Sequence, residues 1–539
     1  MKAICQTGSF EAFSMYNAIY VDKTELIYSL VSLPNRIFIS RPRRFGKSLT
    51  LDTIATLFET GVEPYFKGTW IYDKWTEPTY PVLRLNFLNL DNFSIDDFKN
   101  KLNSYITEFA NKIGVKEYAE KKEPEDSIDS MLEKLREEKR QIVILIDEYD
   151  YQLTSNINNE ELYKQFQKEL QNIYNNLKDK WAIKFLLITG VTKTKNSSVF
   201  SGTDINDITN YSPYSQMIGF TRDEIKKYYI DYLKLAASYE NNCSVDKVTD
   251  AQLESMLDMM AQNYDGYCFD EFYKKKVFST WSVNKFFQNI VKNKFVDFGE
   301  YWYDNGGLPS ILANYLQTHK LNALDYIEKD KTINIKVNDY KNPTSLTSMN
   351  QNVLMCQTGY LTLRSPVYSK GFMTLGIPNS EVYNALFSLM ALNVFDDTKL
   401  ENVNEQILAQ SNDVGEIIGL FNTVLNTVSY DNYPINTEAM VQQLLYTYLK
   451  GICNSVSAEL HSSKGRADLV IESDNRRIVF EFKYAKNETE AKSKLLDAVE
   501  QIKTRDYGNI LPKKAELLRI AAVFNADPKV RAFTEYQQV

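Results

Sequence analysis

The feature that most constrains the fold is a short apolar strand that leads through a tight loop into a helix. Residues 37–39 are Ile-Phe-Ile, and the loop that follows ends in Gly46-Lys47-Ser48, where a helix is predicted to begin. This order is typical of a phosphate-binding P-loop, in which backbone N–H groups and a helix N-terminus surround phosphate oxygens. We expect the Lys47 ammonium to reach the β- and γ-phosphates of a nucleotide and the Ser48 hydroxyl to bind Mg²⁺.

A second strand, far downstream, supplies the carboxylates that a P-loop requires. Residues 142–146 are all apolar, as expected for a buried parallel strand, and Asp147 and Glu148 follow directly. Ligands bind at the carboxyl ends of the strands in open α/β sheets. Asp147 is therefore predicted to hold Mg²⁺, and Glu148 to orient or deprotonate an attacking water. Thr189 ends a third, mostly apolar strand (residues 183–188), expected beside the second, and is predicted to contact the γ-phosphate.

The loop departs from the common pattern of this motif at its start. Arg41 stands where the first glycine of G-x-x-x-x-G-K-[ST] belongs, and Pro42 removes one backbone donor. Two interpretations follow: a working nucleotide site, or a P-loop that no longer binds nucleotide and serves as an interaction scaffold. The order of strand, loop and helix, followed by a strand that ends in Asp-Glu, favours the working site.

Two carboxylates and a lysine are expected to meet in the C-terminal part of the chain. Residues 468–471 and 478–483 have strand composition around a polar turn, which predicts a hairpin. Residues i and i+2 of a strand face the same side, so Glu481 and Lys483 project together and Asp468 can reach the same place. Paired carboxylates suit Mg²⁺ or Mn²⁺, and a lysine can stabilise a pentavalent phosphorane. Metal-dependent nucleases have this arrangement; an exposed hairpin with a Glu–Lys pair is the alternative.

Length and composition indicate a globular protein of several domains. The chain has 539 residues, of which 44% are hydrophobic and 24% charged, and its net charge is −8. At ~100–200 residues per domain, two to four domains are expected. The charge argues against a chain dedicated wholly to nucleic acid. No apolar run approaches the ~20 residues of a membrane span, and the five cysteines lack C-x-x-C spacing, so we expect a cytoplasmic protein with free thiols and no membrane partner.

The order of patterns divides the chain into four predicted regions. These are a P-loop domain at residues 1–220, a helical lid at 221–324, a connector at 325–380 and a nuclease-like domain at 381–539. The lid is predicted to begin at a capping box formed by Thr221 and Glu224. Within the connector, residues 357–363 have strand composition. Beyond the C-terminal hairpin, a helix that carries Gln501 and Tyr507 is expected to line the same cleft.

Several further short motifs accompany these two sites in a fixed order. They are Tyr20-Val-Asp-Lys-Thr24, Arg41-Pro-Arg-Arg-Phe-Gly-Lys-Ser48, Ile146-Asp-Glu-Tyr149, Phe200-Ser-Gly202, Tyr264-Asp-Gly-Tyr267, Gln357-Thr-Gly-Tyr-Leu361, Gly376-Ile-Pro-Asn379 and Glu481-Phe-Lys483. Together they resemble a known bacterial family, AAA-ATPase-like proteins that carry a C-terminal PD-(D/E)XK nuclease-superfamily domain. The resemblance covers nearly the whole chain. In that family Arg-Pro-Arg-Arg-Phe-Gly-Lys-Ser is the usual P-loop, so the resemblance implies that the missing glycine is a family trait.

The resemblance implies a fold, two sites and their ligands. The implied fold is α/β: a P-loop NTPase (AAA-like) parallel-sheet core with a helical lid, and a C-terminal α/β restriction-endonuclease-like domain. The implied ATP-binding residues are Arg43, Arg44, Phe45, Gly46, Lys47, Ser48 and Thr189. The implied Mg²⁺ ligands are Ser48 and Asp147 in one site and Asp468 and Glu481 in the other, and the implied catalytic residues are Glu148, Asp468, Glu481 and Lys483. Glu438 or Glu459 is implied to add a carboxylate, and the sequence does not decide between them.

The leading hypothesis is therefore a protein that binds and hydrolyses ATP and couples this to a Mg²⁺-dependent nuclease-like module acting on DNA or RNA. ATP would change the packing of the N-terminal domain against the lid and the C-terminal module. The alternative is a nucleotide-controlled switch or scaffold whose C-terminal module binds a partner or nucleic acid without cleaving it. The sequence does not separate DNA from RNA, leaves the oligomeric state open and identifies no arginine finger.

Overall fold

The structure is a computed structural model that describes most of the chain. The exceptions are residues 33–34, 179, 195–204, 303–309, 320–325, 327–329, 344, 369, 396–405, 429–432, 453–455, 463–464, 473–474 and 509–513. Only the backbone is described at 310, 313, 317–318, 392–393, 406, 451–452, 456–462 and 465–466. The motif at residues 200–202 lies outside the described residues. The chain divides into two compact units, Met1–His319 with Lys329–Val382, and Lys320–Glu328 with Tyr383–Val539.

The first unit is built on a five-stranded parallel sheet. Its strands are β1 (Asn35–Ser40), β2 (Val82–Asn86), β3 (Ile142–Asp147), β4 (Ile183–Gly190) and β5 (Asn206–Asp207). They lie in the order β2-β3-β4-β1-β5, and every neighbouring pair is parallel. Every residue of β3 and β4 is buried, which explains why both strands are so apolar. Because parallel strands end at one edge, the P-loop after β1, Asp147 and Thr189 meet there, as predicted.

Helices surround this sheet and form the region predicted as a lid. The α-helices of the unit are α1 (Phe10–Met15), α2 (Thr24–Val31), α3 (Lys47–Thr60), α4 (Ile95–Lys112), α5 (Lys116–Ala119), α6 (Pro124–Glu137), α7 (Tyr151–Ser155), α8 (Glu160–Asn176), α9 (Arg222–Tyr228), α10 (Ile230–Glu240), α11 (Asp250–Tyr264), α12 (Thr280–Asn293), α13 (Ser310–Thr318), α14 (Val337–Lys341) and α15 (Gln351–Thr358). Helix α16 (Ser380–Val394) begins in this unit. The capping box predicted at Thr221 and Glu224 begins α9. Helices α9–α12 share one apolar core, which Val21 joins from the segment before β1.

A small antiparallel sheet follows the lid, and its position corrects one expectation. Strands β6 (Ile333–Lys336), β7 (Thr362–Leu363) and β8 (Phe372–Gly376) lie in the order β6-β8-β7. The strand predicted at residues 357–363 was wrong over its first part, because α15 continues to Thr358. Gly359 ends that helix with a φ of +92°, a left-handed conformation that glycine adopts without strain. The glycine marked a helix end, and the apolar residues after it resembled a longer strand.

The second unit contains a five-stranded mixed sheet. Its strands are β9 (Val456–Ser462), β10 (Gly465–Glu472), β11 (Arg476–Ala485), β12 (Glu516–Asn525) and β13 (Ala532–Gln538), in the order β13-β12-β11-β10-β9. Its helices after α16 are α17 (Gln406–Gln410), α18 (Val414–Leu425), α19 (Glu438–Ile452) and α20 (Glu488–Arg505). The antiparallel pairing of β10 with β11 confirms the predicted hairpin. Helix α20 connects β11 to the parallel strand β12, because parallel neighbours require a crossover.

Candidate nucleotide and metal sites

The P-loop turns into α3 through Gly46. This residue has a φ of +100°, so a side chain there would strain the backbone. Gly46 also caps α3 without contributing a side-chain acceptor to the first N–H groups of the helix. Those N–H groups have no carbonyl partner within a helix, and together with the helix dipole they favour an anion. The local backbone therefore fits a phosphate group.

Lys47 and Ser48 connect this loop to the carboxylate strand. The Lys47 Nζ donates hydrogen bonds to the carbonyl oxygens of Arg41 (3.1 Å) and Pro42 (3.2 Å). The Ser48 Oγ donates to Asp147 Oδ2 at 2.6 Å. A hydroxyl and a carboxylate at this separation can bind one Mg²⁺ together, with phosphate oxygens and water in its other positions. The residues present thus fit the ion that the sequence implied.

Asp147 is held by two donors besides Ser48. The Thr189 Oγ1 donates to Asp147 Oδ1 at 2.5 Å, and the Glu148 N–H donates to the same oxygen at 3.0 Å. Thr189 is fully buried. Its hydroxyl therefore orients a carboxylate of the candidate Mg²⁺ site, and the γ-phosphate contact of Thr189 stays a prediction.

Glu148 has the position and the surroundings of a proton acceptor. Its φ of +51° is unusual for a residue with a side chain, and such strain is concentrated at functional sites. The Glu148 Oε1 lies 3.7 Å from the Lys47 Nζ. Burial raises the pKa of Glu148, and the nearby Lys47 ammonium opposes that increase. A carboxyl group with a raised pKa, located beside Lys47, is suited to accept a proton from water.

The side chain of Arg41, which replaces the first glycine of the P-loop pattern, contacts residues outside the loop. The buried Arg41 Nη1 donates to the carbonyl oxygens of Ser40 (2.9 Å) and Thr209 (2.6 Å), and its guanidinium lies 4.2 Å from the centre of the Phe269 ring. Burial lowers the pKa of Arg41 to about 9, which still leaves it charged at neutral pH. Arg41 thus anchors the start of the loop inside the unit.

The other P-loop residues implied to bind nucleotide differ in what they contact. Arg43 is half-buried and borders the open side of the loop. The Arg44 Nη1 donates to the carbonyl oxygens of Tyr301 and Trp302, the second at 2.6 Å. Phe45 is buried against aromatic rings, with its centroid 6.4 Å from that of Trp302. Phe45 can therefore meet a nucleotide through its backbone rather than its ring.

Sequence reasoning missed Glu381, which holds the segment that Arg44 contacts. The Glu381 Oε1 accepts hydrogen bonds from the N–H groups of Tyr301 (2.8 Å) and Trp302 (2.9 Å), and its Oε2 accepts from Ser282 Oγ (2.8 Å). Burial raises the pKa of Glu381 to about 8, although these three donors oppose the increase. The signal in the sequence was a glutamate two residues after the Gly-Ile-Pro-Asn motif, where a polar helix start explains it equally well.

A cavity of about 360 Å³ lies beside the P-loop. Lys47, Arg43 and Glu148 line it on one side, and Tyr229 and Asn284 of the lid line it on another. The Tyr229 hydroxyl donates to Asn284 Oδ1 at 2.6 Å, so the lid presents an ordered polar pair. The volume falls within the range of small-molecule sites. The cavity therefore adjoins the P-loop and has the volume that the rest of a nucleotide would need if a phosphate bound there.

The hairpin of the second unit brings its three predicted residues together. The Lys483 Nζ donates to Glu481 Oε1 at 2.8 Å and to Glu438 Oε1 at 3.2 Å. Asp468 Oδ2 accepts from the Phe482 N–H at 2.8 Å, which fixes it beside β11. Of the two further carboxylates, Glu438 reaches this cluster, and the side chain of Glu459 lies outside the described residues.

Glu481 is the buried carboxylate of this cluster. Only 1% of its surface is exposed, and its Oε2 has no hydrogen-bond partner among the described residues. Burial, and then the charge of Asp468, raise the pKa of Glu481 to about 7. A buried carboxylate oxygen without a donor is costly unless a cation binds it. The two hard carboxylates, Asp468 and Glu481, fit Mg²⁺ or Mn²⁺ as ligands, and the Lys483 ammonium lies beside them.

Gln501 and Tyr507 lie close to one another, but Tyr507 does not lie on the helix where it was predicted. The Gln501 Nε2 donates to the Tyr507 hydroxyl at 3.1 Å, and the Arg505 Nη1 donates to the same oxygen at 3.0 Å. Tyr507 was predicted on a helix, but α20 ends at Arg505 and Asp506 adopts a left-handed φ of +46°. Tyr507 is fully buried in a core with Val479 of β11. It therefore stabilises the strand that carries Glu481.

The described residues contain neither a larger metal-binding cluster nor a membrane-spanning helix. No group of three or more His, Cys, Asp and Glu side chains in the described part of the chain is arranged to hold a metal ion. Each candidate cation site above would take two protein ligands, as Mg²⁺ sites often do. Among the described residues, no helix combines the length and the apolar character that crossing a bilayer requires.

Two family models match separate parts of the chain. Residues 5–200 match an AAA-ATPase-like model described as a predicted AAA-ATPase, and residues 436–533 match a model of the PD-(D/E)XK nuclease superfamily. The chain carries both kinds of domain. The resemblance drawn from the motifs is confirmed, and so is the α/β fold class, with its parallel P-loop sheet and C-terminal mixed sheet. The assignment of individual site residues and the four domain boundaries stay predictions.

A curated protein is similar to this chain along almost its whole length. It is an uncharacterized protein in the vnfD 5' region of Azotobacter chroococcum mcd 1, 25% identical over 525 residues, which cover 95% of this chain and 93% of that protein. Its name states no activity. Among solved structures, Cdc6p from Pyrobaculum aerophilum is 12% identical over 68% of this chain and 91% of that chain, with a TM-score of 0.22. That likeness is too distant to support an argument.

Proposed function

We propose that the AAA-ATPase-like domain binds and hydrolyses ATP with Mg²⁺, and that the PD-(D/E)XK domain cleaves DNA or RNA with a divalent cation. The observation that carries the nuclease part is the convergence of Asp468, Glu481 and Lys483 around a buried carboxylate oxygen that has no donor among the described residues. Structural ion pairs usually satisfy both carboxylate oxygens, whereas a metal ligand needs one of them available. The proposed location of the protein remains the cytoplasm.

In the ATPase domain, the residues of the loop would act mainly by position. The N–H groups at the start of α3 and the Lys47 ammonium would contact the phosphates, and Lys47 would leave the carbonyl oxygens that hold it now. Ser48 and Asp147 would hold Mg²⁺, which neutralises charge on the β- and γ-phosphates when bound. Glu148 would orient the attacking water and accept its proton.

In the nuclease-like domain, Asp468 and Glu481 would hold the cation. A bound Mg²⁺ or Mn²⁺ polarises the phosphodiester and lowers the pKa of a bound water. Lys483 keeps its ammonium between Glu481 and Glu438, where it would lie beside a phosphate bound to the cation. Burial alone would lower the pKa of Lys483, but its hydrogen bond to Glu481 raises it, which keeps the ammonium charged. A fixed positive charge there would stabilise the transition state.

Cleavage assays on matched variants test the nuclease proposal. Plasmid DNA, single-stranded DNA and an RNA transcript are incubated with the full chain and Mg²⁺ or Mn²⁺. Glu481→Gln and Lys483→Ala should lower the cleavage rate about a hundredfold or more, by analogy with the loss of one transition-state donor. The control is Lys492→Ala, because Lys492 forms an exposed ion pair with Glu488 on the next helix. Equal cleavage by all four proteins would assign the activity to a contaminant and reject the proposal.

Nucleotide binding is tested separately, because the scaffold alternative concerns only the P-loop. MgATP binding is measured by titration calorimetry on the wild type, on Lys47→Ala and on Lys67→Ala, an exposed lysine of the same unit. Lys47→Ala should weaken binding at least tenfold, and Lys67→Ala should not change it. Heat signals of the same small size from all three proteins would favour the scaffold.

A further inference from the structure

Three segments of the first unit, far apart in the sequence, meet through the backbone of Glu271. The Glu271 N–H donates to the carbonyl oxygen of Asn210 at 2.9 Å, and the Glu271 carbonyl oxygen accepts from the Val367 N–H at 2.8 Å. In each segment the next residue is aromatic and exposed: Tyr211 (50%), Phe272 (56%) and Tyr368 (63%). The fold thus collects aromatic side chains that the sequence keeps apart.

A fourth exposed aromatic residue belongs to the same part of the unit. Phe372 is 66% exposed and begins β8, four residues after Tyr368 in the sequence. It pairs with Lys336 of β6, and the Val337 N–H donates to the Gly371 carbonyl oxygen at 3.0 Å. Single exposed apolar residues are normal on a protein surface, whereas several in adjoining segments indicate a binding site.

Lysines accompany these aromatic residues. The exposed ones in the same segments are Lys274, Lys276, Lys336 and Lys370. Lys275 ties two of the segments together, because its Nζ donates to the Ser212 carbonyl oxygen at 3.0 Å. The carboxylate of Asp270 is turned inward and accepts backbone N–H groups of its own turn, including that of Phe272 at 3.1 Å. The turn therefore exposes Lys274 and Lys276 and keeps the carboxylate of Asp270 inside.

We propose that this aromatic–lysine surface, formed by Tyr211, Phe272, Tyr368, Phe372 and the four exposed lysines, binds single-stranded nucleic acid. Aromatic rings stack on bases, and lysines contact the phosphates between them. The local positive charge stands out because the whole chain has a net charge of −8. A duplex keeps its base faces stacked internally, so exposed rings fit a single strand. The surface is separate from the candidate nuclease residues, and the proposal does not depend on their activity.

The test measures binding without cleavage. Fluorescently labelled oligo(dT) and oligo(U) are titrated with full-length protein carrying Glu481→Gln, and anisotropy gives the dissociation constant. On that background, Phe272→Ala and Tyr368→Ala should each weaken binding about tenfold, the effect of losing one stacked base. Phe272→Tyr keeps an aromatic ring at this position and should therefore bind as tightly as the protein with Phe272. The matched control is Phe93→Ala, since Phe93 is 77% exposed elsewhere in the same unit.

Salt dependence and competition complete the experiment. Lys274→Glu with Lys276→Glu should weaken binding and flatten its dependence on salt, because fewer phosphates are neutralised. Duplex DNA of equal length should compete at least tenfold less well than the single strand. Unchanged affinity in the aromatic variants, or an equal loss in Phe93→Ala, would overturn the proposal. Failure of the nuclease assay alongside ring-dependent binding would reject the proposed cleavage and leave this surface supported.

Discussion

Replacing Glu381 with Gln should remove a cost of folding that grows with pH. Burial raises the pKa of Glu381 to about 8, from an ordinary value of 4.5. Between those two values the folded protein keeps a proton that the unfolded chain has released, so stability falls as pH rises from about 4.5 to about 8. At ~1.4 kcal/mol per pH unit, flattening near the folded pKa, the loss between about pH 6 and pH 8 is about 2 kcal/mol. The glutamine side chain does not titrate in this range, so the Glu381→Gln variant should not show this loss of stability.

Thermal unfolding at the two pH values measures this difference. For a unit of roughly 370 residues, about 2 kcal/mol corresponds to a change in Tm of about 3 °C. The wild type should lose that much more than Glu381→Gln, and Glu240→Gln, at an exposed glutamate, should follow the wild type. Arg44 and the hydroxyls of Tyr264 and Tyr267 also interact with this carboxyl, and they are the same in all three proteins. Parallel curves would mean that Arg44 and the N–H donors keep Glu381 ionised.

Two further predictions concern a glycine packed against the backbone and a hydrogen bond to Asp147. A Cβ at Gly266 would lie 2.2 Å from the Pro378 carbonyl oxygen, whereas one at Gly68, also at positive φ, meets nothing within 4 Å. Gly68→Ala should therefore cost about 1–2 kcal/mol from backbone strain alone and Gly266→Ala clearly more, as denaturant titration would show. Thr189→Val keeps the shape but removes the donor to Asp147; it should weaken Mg²⁺-dependent ATP binding about fivefold with little change in Tm, and an unchanged Mg²⁺ requirement would contradict this.

The parts that could be predicted from the sequence are those fixed by local pattern. The apolar runs before Asp147 and Thr189 specify buried parallel strands, and parallel strands bring their carboxyl ends to one edge. The period of two along β11 likewise placed Glu481 and Lys483 on one side. In these cases the neighbours in space follow from the neighbours in sequence and one rule of sheet geometry.

The parts that could not be predicted depend on contacts between distant segments. Glu381 binds the backbone of residues 301–302, and nothing near it in the sequence indicates a partner so far away. The exposed rings of Tyr211, Phe272 and Tyr368 gave no continuous stripe, because their segments lie far apart in the sequence and are brought together by tertiary hydrogen bonds such as those of Glu271. Such groupings follow from the tertiary fold, which a single sequence does not specify residue by residue.

The contacts of Arg41 explain what this departure from the P-loop pattern would contribute to the proposed nucleotide site. Its guanidinium binds Thr209 and packs on Phe269, and these positions lie two residues before Tyr211 and three before Phe272 of the aromatic–lysine surface. Its carbonyl oxygen faces the other way and accepts from Lys47. If Lys47 moves to a phosphate as proposed, it must release this carbonyl, so Arg41 would connect the P-loop with the segments of the proposed aromatic–lysine surface. A glycine could provide the carbonyl, but it could not provide the anchor.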